Sequence, residues 1–338
     1  MVRRHRRTDG HINLTSLSSK CNFGLKAVVQ QLSYVHTKHL ATLLPNHYLY
    51  PMIYKTASDW RNAPHKRVLL FAMSGLGKTY LSNLVRAQGD WFHYSIDYRI
   101  GTRYMGELIA DNAKREAMKV PFLRDLLRSD SIYIGSNISF DDLKPMSSYL
   151  GKPGDPNLGG LAWDDYTYRQ DQFMQSEIAA LHDTGQFIDR SYELYQYPHF
   201  ICDTGGSICE WVDVDDPNDP LMTDLASKTL MIWIEGSDDH TAELVRRFDR
   251  EPKPMSYDPV FLLNTWTAYL AEFSVAADKV NPDDFIRWAF AKALAHRQPR
   301  YKAMADRWGL TIPMDVVAQV KDTEGFERMV ADALEMRS

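Results

Sequence analysis

From Arg67 onward the chain alternates short, wholly apolar runs with stretches in which apolar residues recur at helical spacing. Val68-Leu69-Leu70-Phe71 is continuously apolar, as a strand buried on both faces of a parallel sheet must be. Directly after it, Leu81, Leu84 and Val85 fall on one side of a helix. The same reading places strands at Val68–Ala72, Trp91–Asp97, Pro198–Asp203, Thr229–Ile234 and Leu310–Ile312. It places helices at Thr79–Ala87, Tyr104–Arg128 (broken at Val120-Pro121) and Thr167–Thr184 (ended by Gly185). Further helices are expected at Asp239–Asp249, Val260–Ala277 and Pro282–His296, the last two preceding Arg300–Trp308, and at Thr323–Glu335. Alternation of this kind predicts an α/β domain, a parallel sheet covered by helices on both faces. Residues 130–165 break the rhythm: rich in Gly, Pro, Asp and Ser, they read as an inserted, cap-like segment packing over a site. No internal repeat is visible.

The junction between the first strand and its helix carries the most chemistry. Ala72-Met73-Ser74-Gly75-Leu76-Gly77-Lys78-Thr79 is a phosphate loop, with Ala72 where the usual pattern has its first Gly. Gly75 and Gly77 let the backbone curl so that successive N–H groups face phosphate oxygens. Lys78 brings a point charge to the β- and γ-phosphates, Thr79 offers a hydroxyl to Mg²⁺, and the helix adds its positive end. Ser74, Gly75, Leu76, Gly77, Lys78, Thr79 and Tyr80 are therefore the candidate nucleotide-binding residues.

In open α/β sheets the ligand crevice lies beyond the carboxyl ends of the strands, so polar residues there become candidates. Asp203 closes an apolar strand, where a carboxylate holds the Mg²⁺ shell in phosphate-loop enzymes, and with Thr79 it forms the expected metal pair. Gly205-Gly206 would let a substrate approach the backbone closely. Asp97 is placed to orient or deprotonate a hydroxyl, with Arg99 and Arg103 as candidates to bind an anionic part of that substrate. Arg246, Arg247 and Arg250 lie on or after the helix that follows the fourth strand; an Arg from a closing segment, Arg247 first, would stabilise a transferring phosphoryl group. For Asp97, Asp203, the arginines and the glycines alike, ordinary roles as caps, turns and solvated charges stay open. The histidines show no metal-like spacing, and no nucleophile elbow is present.

Composition narrows the classes. The chain has 338 residues, 44% hydrophobic and 25% charged, with no apolar run near the roughly 18 residues a membrane span needs. Three cysteines (Cys21, Cys202, Cys209) make neither a disulfide framework nor a zinc site, so a reducing, cytoplasmic setting is expected. Residues 1–51 hold seven Lys or Arg against one acid, whereas the rest holds 32 against 43. So acidic a body makes nucleic acid an unlikely partner. Residues 1–51 read as an N-terminal extension to a phosphate-loop domain at 52–338, with Leu25–Leu44 able to form a helix. Their Arg-rich, acid-poor composition resembles a transit peptide; Met52 as the true start, or a loosely packed extension, are equally open.

Four landmarks together resemble a known family: Gly75-Leu76-Gly77-Lys78-Thr79; the strand ending in Asp97 with Ile100 three residues on; Asp203-Thr204-Gly205-Gly206; and Arg297-Gln298-Pro299-Arg300-Tyr301 leading to Ala305-Asp306. They look like the small-molecule kinases of the phosphate-loop superfamily, of the shikimate and gluconate kinase kind, with related nucleotide kinases. The last landmark is similar to the Arg-x-x-x-Tyr-x-x-x-Ala-Asp run before the final strand of shikimate kinases. The resemblance implies a three-layer α/β/α fold with a five-stranded parallel sheet of order 2-3-1-4-5. It also implies ATP- and Mg²⁺-dependent phosphorylation of a small hydroxyl compound, and a mobile lid near Arg246–Pro254. Tyr168-Arg169 and Glu177 stand where that family has a substrate-contacting Phe-Arg and a following Glu. The chain departs from the family in its length, in Gly101 where an acid is usual, and in a lid that only partly matches. An ATPase with a regulatory or partner-binding role is the alternative; a third is a transferase using the loop for pyrophosphate, since Asp97–Thr102 resembles the tRNA prenyltransferases.

Overall fold

The structure, a computed structural model, describes residues 52–337, so expectations for residues 1–51, Cys21 and the helix at Leu25–Leu44 lie outside the described residues. Five strands form one parallel sheet: β1 (Arg67–Phe71), β2 (Trp91–Ser95), β3 (His199–Asp203), β4 (Leu230–Glu235) and β5 (Gly309–Pro313), in the order β2-β3-β1-β4-β5. This is the order the resemblance implied, and with helices on both faces it is a phosphate-loop α/β fold. Central strand β1 is buried from Val68 to Phe71, which its unbroken apolar run requires.

Register aligns the strand ends. Leu70 of β1 pairs with Asp203 of β3, and Asp203 pairs in turn with Ser95 of β2. The carboxyl ends of three adjacent strands therefore finish level. The chain leaves β1 on one side and, after β3, crosses to the other to form β4, which makes this end the switch point of the sheet.

One face is covered by α1 (Ala57–Asn62), α2 (Lys78–Ala87) and the C-terminal α14 (Thr323–Arg337). Trp60 and Phe326 pack there beside Trp91, and the Trp60 indole donates to the Glu327 carbonyl at 2.9 Å. A capping box between Thr56 and Asp59 starts α1, satisfying two orphan N–H groups. The other face carries α12 (Pro282–Trp308), whose Tyr301 packs between Phe71 and Trp233, and α7 (Trp163–His182) and α8 (Thr184–Glu193) toward the β2 edge. The remaining helices are α3 (Ile96–Arg99), α4 (Gly106–Ala117), α5 (Pro121–Arg128), α6 (Lys144–Leu150), α9 (Pro220–Lys228), α10 (Asp238–Arg250), α11 (Pro259–Phe273) and α13 (Met314–Val317). No described helix is long and apolar enough to cross a membrane.

Several boundaries differ from the sequence expectation, each for a local reason. Strand β2 stops at Ser95, because the Ser95 hydroxyl accepts from Tyr98 N–H and turns the chain into α3, followed by a π turn over Ile100–Tyr104. Asp97 thus sits in the first turn of a short helix, not at a strand end. Gly185 does not terminate a helix; α8 begins one residue before it. The helix expected to end at His296 runs on through Pro299 to Trp308, 27 residues in all. On either side of Pro299, Arg297 and Arg300 are fastened to carbonyls of neighbouring segments, tertiary anchors that override the local break. Helix α11 ends at Phe273, where Ser274 adopts a left-handed conformation (φ 49°). The inserted segment is more regular than its composition suggests, holding α6, a 3₁₀ turn at Pro156–Leu158 and the first residues of α7.

Candidate active site

Both glycines of the loop take positive φ, 91° at Gly75 and 85° at Gly77, a region open to Gly and costly for other residues. Gly77 then serves as the N-cap of α2. Ser74 and Gly75 are exposed at the tip, while Leu76 is buried. Lys78 is buried, its ammonium donating to the carbonyls of Ala72 at 2.8 Å and Met73 at 3.2 Å. Burial pulls the Lys78 pKa down, opposed by the charges of Asp97, Asp203 and Glu177. Tyr80 turns its hydroxyl to the Val320 carbonyl at 3.2 Å.

Thr79 and Asp203 meet across the crevice, hydroxyl to Oδ2, at 2.8 Å. The other carboxylate oxygen of Asp203 lies 2.9 Å from His93 Nε2, on the neighbouring strand. Burial pushes the Asp203 carboxyl up, but the hydrogen bonds from His93 and Thr79, with the Lys78 charge, bring it below its usual value. Asp203 is therefore a fixed anion beside the loop. Mg²⁺ commonly keeps several waters and takes only one or two carboxylates besides phosphate oxygens. A hydroxyl and a carboxylate 2.8 Å apart suit that use, although no group of three or more His, Cys, Asp or Glu is placed to hold a metal among the described residues.

Two further carboxylates converge beside the loop. Glu177, from the middle of α7, is fully buried; its Oε2 accepts from Ser207 Oγ at 2.5 Å and Trp211 Nε1 at 2.8 Å, while Oε1 has no partner. A Cβ at Gly205 would lie 2.7 Å from Glu177 Oε1 and 3.0 Å from Asp97 Oδ1, so only a glycine lets both carboxylates close on the backbone there. Burial raises Asp97 to about 6, helped by the Asp203 charge, and raises Glu177 to about 7, helped by the Asp97 charge.

The Gly205-Gly206 turn is held from behind. The Gly206 carbonyl accepts from Arg297 Nη1 at 3.1 Å and from the Tyr301 hydroxyl. Buried Arg297 also donates to Glu210 Oε1 at 2.6 Å and to the Ser256 carbonyl. Burial would raise Glu210, but Arg297 and His296 overcome it and bring the carboxyl down to about 2. Glu210 and the holding role of Arg297 escaped the sequence reading, as did His93. For His93 a signal existed: it alternates with Ser95 on one face of β2, whose carboxyl end lies in register with Asp203.

Most of the remaining arginine candidates have other commitments. Arg99 pairs with Asp183 at 2.6 Å and lies over the Phe187 ring. Arg103 is exposed. Arg169 donates to the Tyr149 carbonyl and to Asn112, stacking its guanidinium 4.9 Å from the Tyr149 ring. In α10, Arg246 and Arg247 both pair with Glu243, at 3.0 and 2.9 Å, and Arg250 reaches the same carboxylate at 3.9 Å, all on exposed side chains.

The inserted segment covers the β2 side of the site. Phe140 stacks on Tyr98 (4.7 Å between ring centroids), lies 4.8 Å from His93 and carries the Arg86 guanidinium over its face. Ile138 packs against Gly101, where a Cβ would come within 2.6 Å of it. The bare position after Ile100 is thus filled from the insertion. A separate open groove of about 450 Å³, lined by Thr102, Glu107, Asp111, Lys114 and Asn137 among others, includes none of the phosphate-loop residues.

No protein-family model and no curated protein matches the sequence. Among solved structures the chain is similar to the shikimate kinase from Bacteroides thetaiotaomicron, at 15% identity over 80% of this chain and 98% of that one, with a TM-score of 0.35. A likeness so distant carries no argument about activity; the fold rests on the sheet order and the loop described above.

Proposed function

We propose that the chain is a Mg²⁺–ATP-dependent phosphotransferase acting on a small polar hydroxyl compound. The observation that carries this reading is the convergence of Lys78, the Thr79–Asp203 pair and Asp97 at the level carboxyl ends of β1, β3 and β2. The loop amides from Ser74 to Tyr80 and the Lys78 ammonium would hold the triphosphate, with Lys78 exchanging its two loop carbonyls for phosphate oxygens. Thr79 and Asp203 would hold Mg²⁺, which when bound neutralises charge on the phosphates. Asp97, with a pKa of about 6, is largely ionised at neutral pH and is suited to orient the acceptor hydroxyl and accept its proton. The ion pairs of Arg246, Arg247 and Arg250 with Glu243 lie on exposed side chains, where solvent screens them. They therefore hold the lid arginines only lightly, and Arg247 is free to swing to the transferring group.

A second reading, an ATPase working through a partner, draws on exposed apolar side chains. Tyr133 and Leu158 are exposed in the insertion, and Val260 and Leu263 stand one turn apart on α11. ATP turnover with and without a panel of small hydroxyl compounds separates the two. Acceptor-stimulated ADP release supports the phosphotransferase; release indifferent to every acceptor supports the ATPase.

A further inference from the structure

We infer that His93 is a positioning residue for the proposed metal pair: its hydrogen bond to one oxygen of Asp203 confines that carboxylate to a single ligating oxygen and so favours Mg²⁺ over Ca²⁺. This rests on the metal–nucleotide half of the phosphotransferase reading. The two oxygens of Asp203 have different partners. Oδ2 accepts from the Thr79 hydroxyl at 2.8 Å, whereas Oδ1 lies 2.9 Å from His93 Nε2. An ionised carboxylate only accepts, so Nε2 carries the hydrogen and donates it. Strand register brings the imidazole there. His93 pairs with Ile201 and Ser95 with Asp203, which makes His93 and Asp203 diagonal neighbours on one face of β2 and β3. Ser95, directly opposite, has its hydroxyl turned to the Tyr98 N–H and leaves Asp203 to the longer side chain.

The imidazole is held without a second hydrogen bond. Its side chain is fully buried, and Nδ1 has no partner among the described residues, so no carbonyl or carboxylate sets the ring from its far side. Phe140 of the inserted segment takes that part by packing, 4.8 Å from the imidazole with 31° between the ring planes. Phe140 is itself pinned: it stacks on Tyr98 at 4.7 Å, and the Arg86 guanidinium of α2 lies 5.0 Å from its ring centroid. The orientation of Asp203 thus depends on a residue of the insertion. Metal choice follows from that orientation. Ca²⁺ takes about 6–8 oxygens in flexible geometry and readily uses both oxygens of one carboxylate, whereas Mg²⁺ demands a near-ideal octahedron and keeps several waters. A carboxylate whose Oδ1 is engaged by a buried imidazole is suited to the second ion.

The test is calorimetric titration of Mg²⁺, and separately of Ca²⁺, into the full-length protein saturated with the non-hydrolysable analogue AMP-PNP, which reads metal affinity without turnover. His93→Phe keeps a ring and removes the donor; the ratio of Mg²⁺ to Ca²⁺ affinity should fall about tenfold or more. His93→Gln, whose amide can still donate to Oδ1, should stay within about threefold of the parent ratio. Phe140→Ala leaves the imidazole in place but unbraced and should lower the ratio by about threefold, which keeps the test decisive if His93→Phe does not fold. A merely structural role would weaken both metals alike and leave the ratio where it was. An unchanged ratio in His93→Phe, or in Phe140→Ala where His93→Phe is unfolded, overturns the inference and leaves the phosphotransferase reading intact. A lowered ratio in a protein whose ADP release no acceptor stimulates upholds the inference and removes that reading instead. No metal binding by the parent overturns both.

Discussion

Thr79 and Asp203 are 124 residues apart in sequence, yet the hydroxyl of one donates to the carboxylate of the other at 2.8 Å. The contact joins the start of α2 to the end of β3, and it exists because Leu70 and Asp203 are in register across the sheet. On the proposed function the pair is the protein's share of the Mg²⁺ shell. Thr79→Val and Asp203→Asn should each lower turnover by about 100-fold or more. Activity should respond to Mg²⁺ concentration more steeply than in the parent protein, because weakened ligation must be offset by more metal. Titration of initial rate against Mg²⁺ measures both effects; unchanged dependence in Asp203→Asn would remove the residue from the metal shell.

Asp97 gives a pH signature with a definite sign. Its pKa in the folded protein, about 6, lies above the 3.8 of the unfolded chain, so ionisation is disfavoured by folding. The associated stability is complete below pH 3.8 and is lost as pH rises through about 6. Asp97→Asn should therefore be more stable than the parent at pH 8, by on the order of 3 kcal/mol, with the difference vanishing below about pH 4. Activity should run the opposite way, rising through about pH 6 as the base ionises. Thermal melts of both proteins from pH 4 to 8, set beside a pH–rate profile, check the two signs together.

The Arg297–Glu210 pair behaves oppositely on acidification. Glu210 falls from its ordinary 4.5 to about 2 in the fold, so its contribution is present above pH 4.5 and is lost as pH falls through about 2. Breaking the pair leaves a buried charge alone. Arg297→Met should cost about 3–5 kcal/mol in urea unfolding. It should also weaken acceptor binding, since the Gly206 carbonyl loses one of its two donors. Arg246→Ala, on an exposed and solvent-screened ion pair, should leave the unfolding midpoint essentially unchanged.

The loop itself is sensitive to a single methyl group. Gly77 takes φ 85°, and a Cβ there would meet the Met314 methyl at 3.3 Å. Gly77→Ala should lower stability by about 1–2 kcal/mol and weaken ATP binding, because the same backbone twist aims the loop amides. Calorimetric ATP titration checks the second part.

How far the sequence reached depends on what each signal measures. The apolar runs at Val68–Phe71 and Met231–Ile234 made the sheet visible, since a strand buried on both faces must be apolar throughout. Phosphate-loop spacing made Gly75, Gly77, Lys78 and Thr79 visible because backbone conformation and charge both follow from residue type. Contacts made across the fold left no such trace. Whether Arg99 or Arg169 is free depends on Asp183 and Tyr149, and whether Glu177 Oε1 is satisfied depends on Ser207 and Trp211 taking the other oxygen. Pro299 shows the same limit, because its local breaking tendency is overridden by anchors on Gly206 and Cys209.

The central claim is that the crevice beside the phosphate loop transfers a phosphoryl group to a hydroxyl positioned by Asp97. Its most direct test is ADP release by the parent protein, Lys78→Ala and Asp97→Asn, each with and without a panel of small hydroxyl compounds. The account predicts acceptor-stimulated release by the parent, none by Lys78→Ala, and ATP binding without acceptor stimulation in Asp97→Asn. Equal stimulation in Asp97→Asn and the parent, or undiminished turnover in Lys78→Ala, would contradict it.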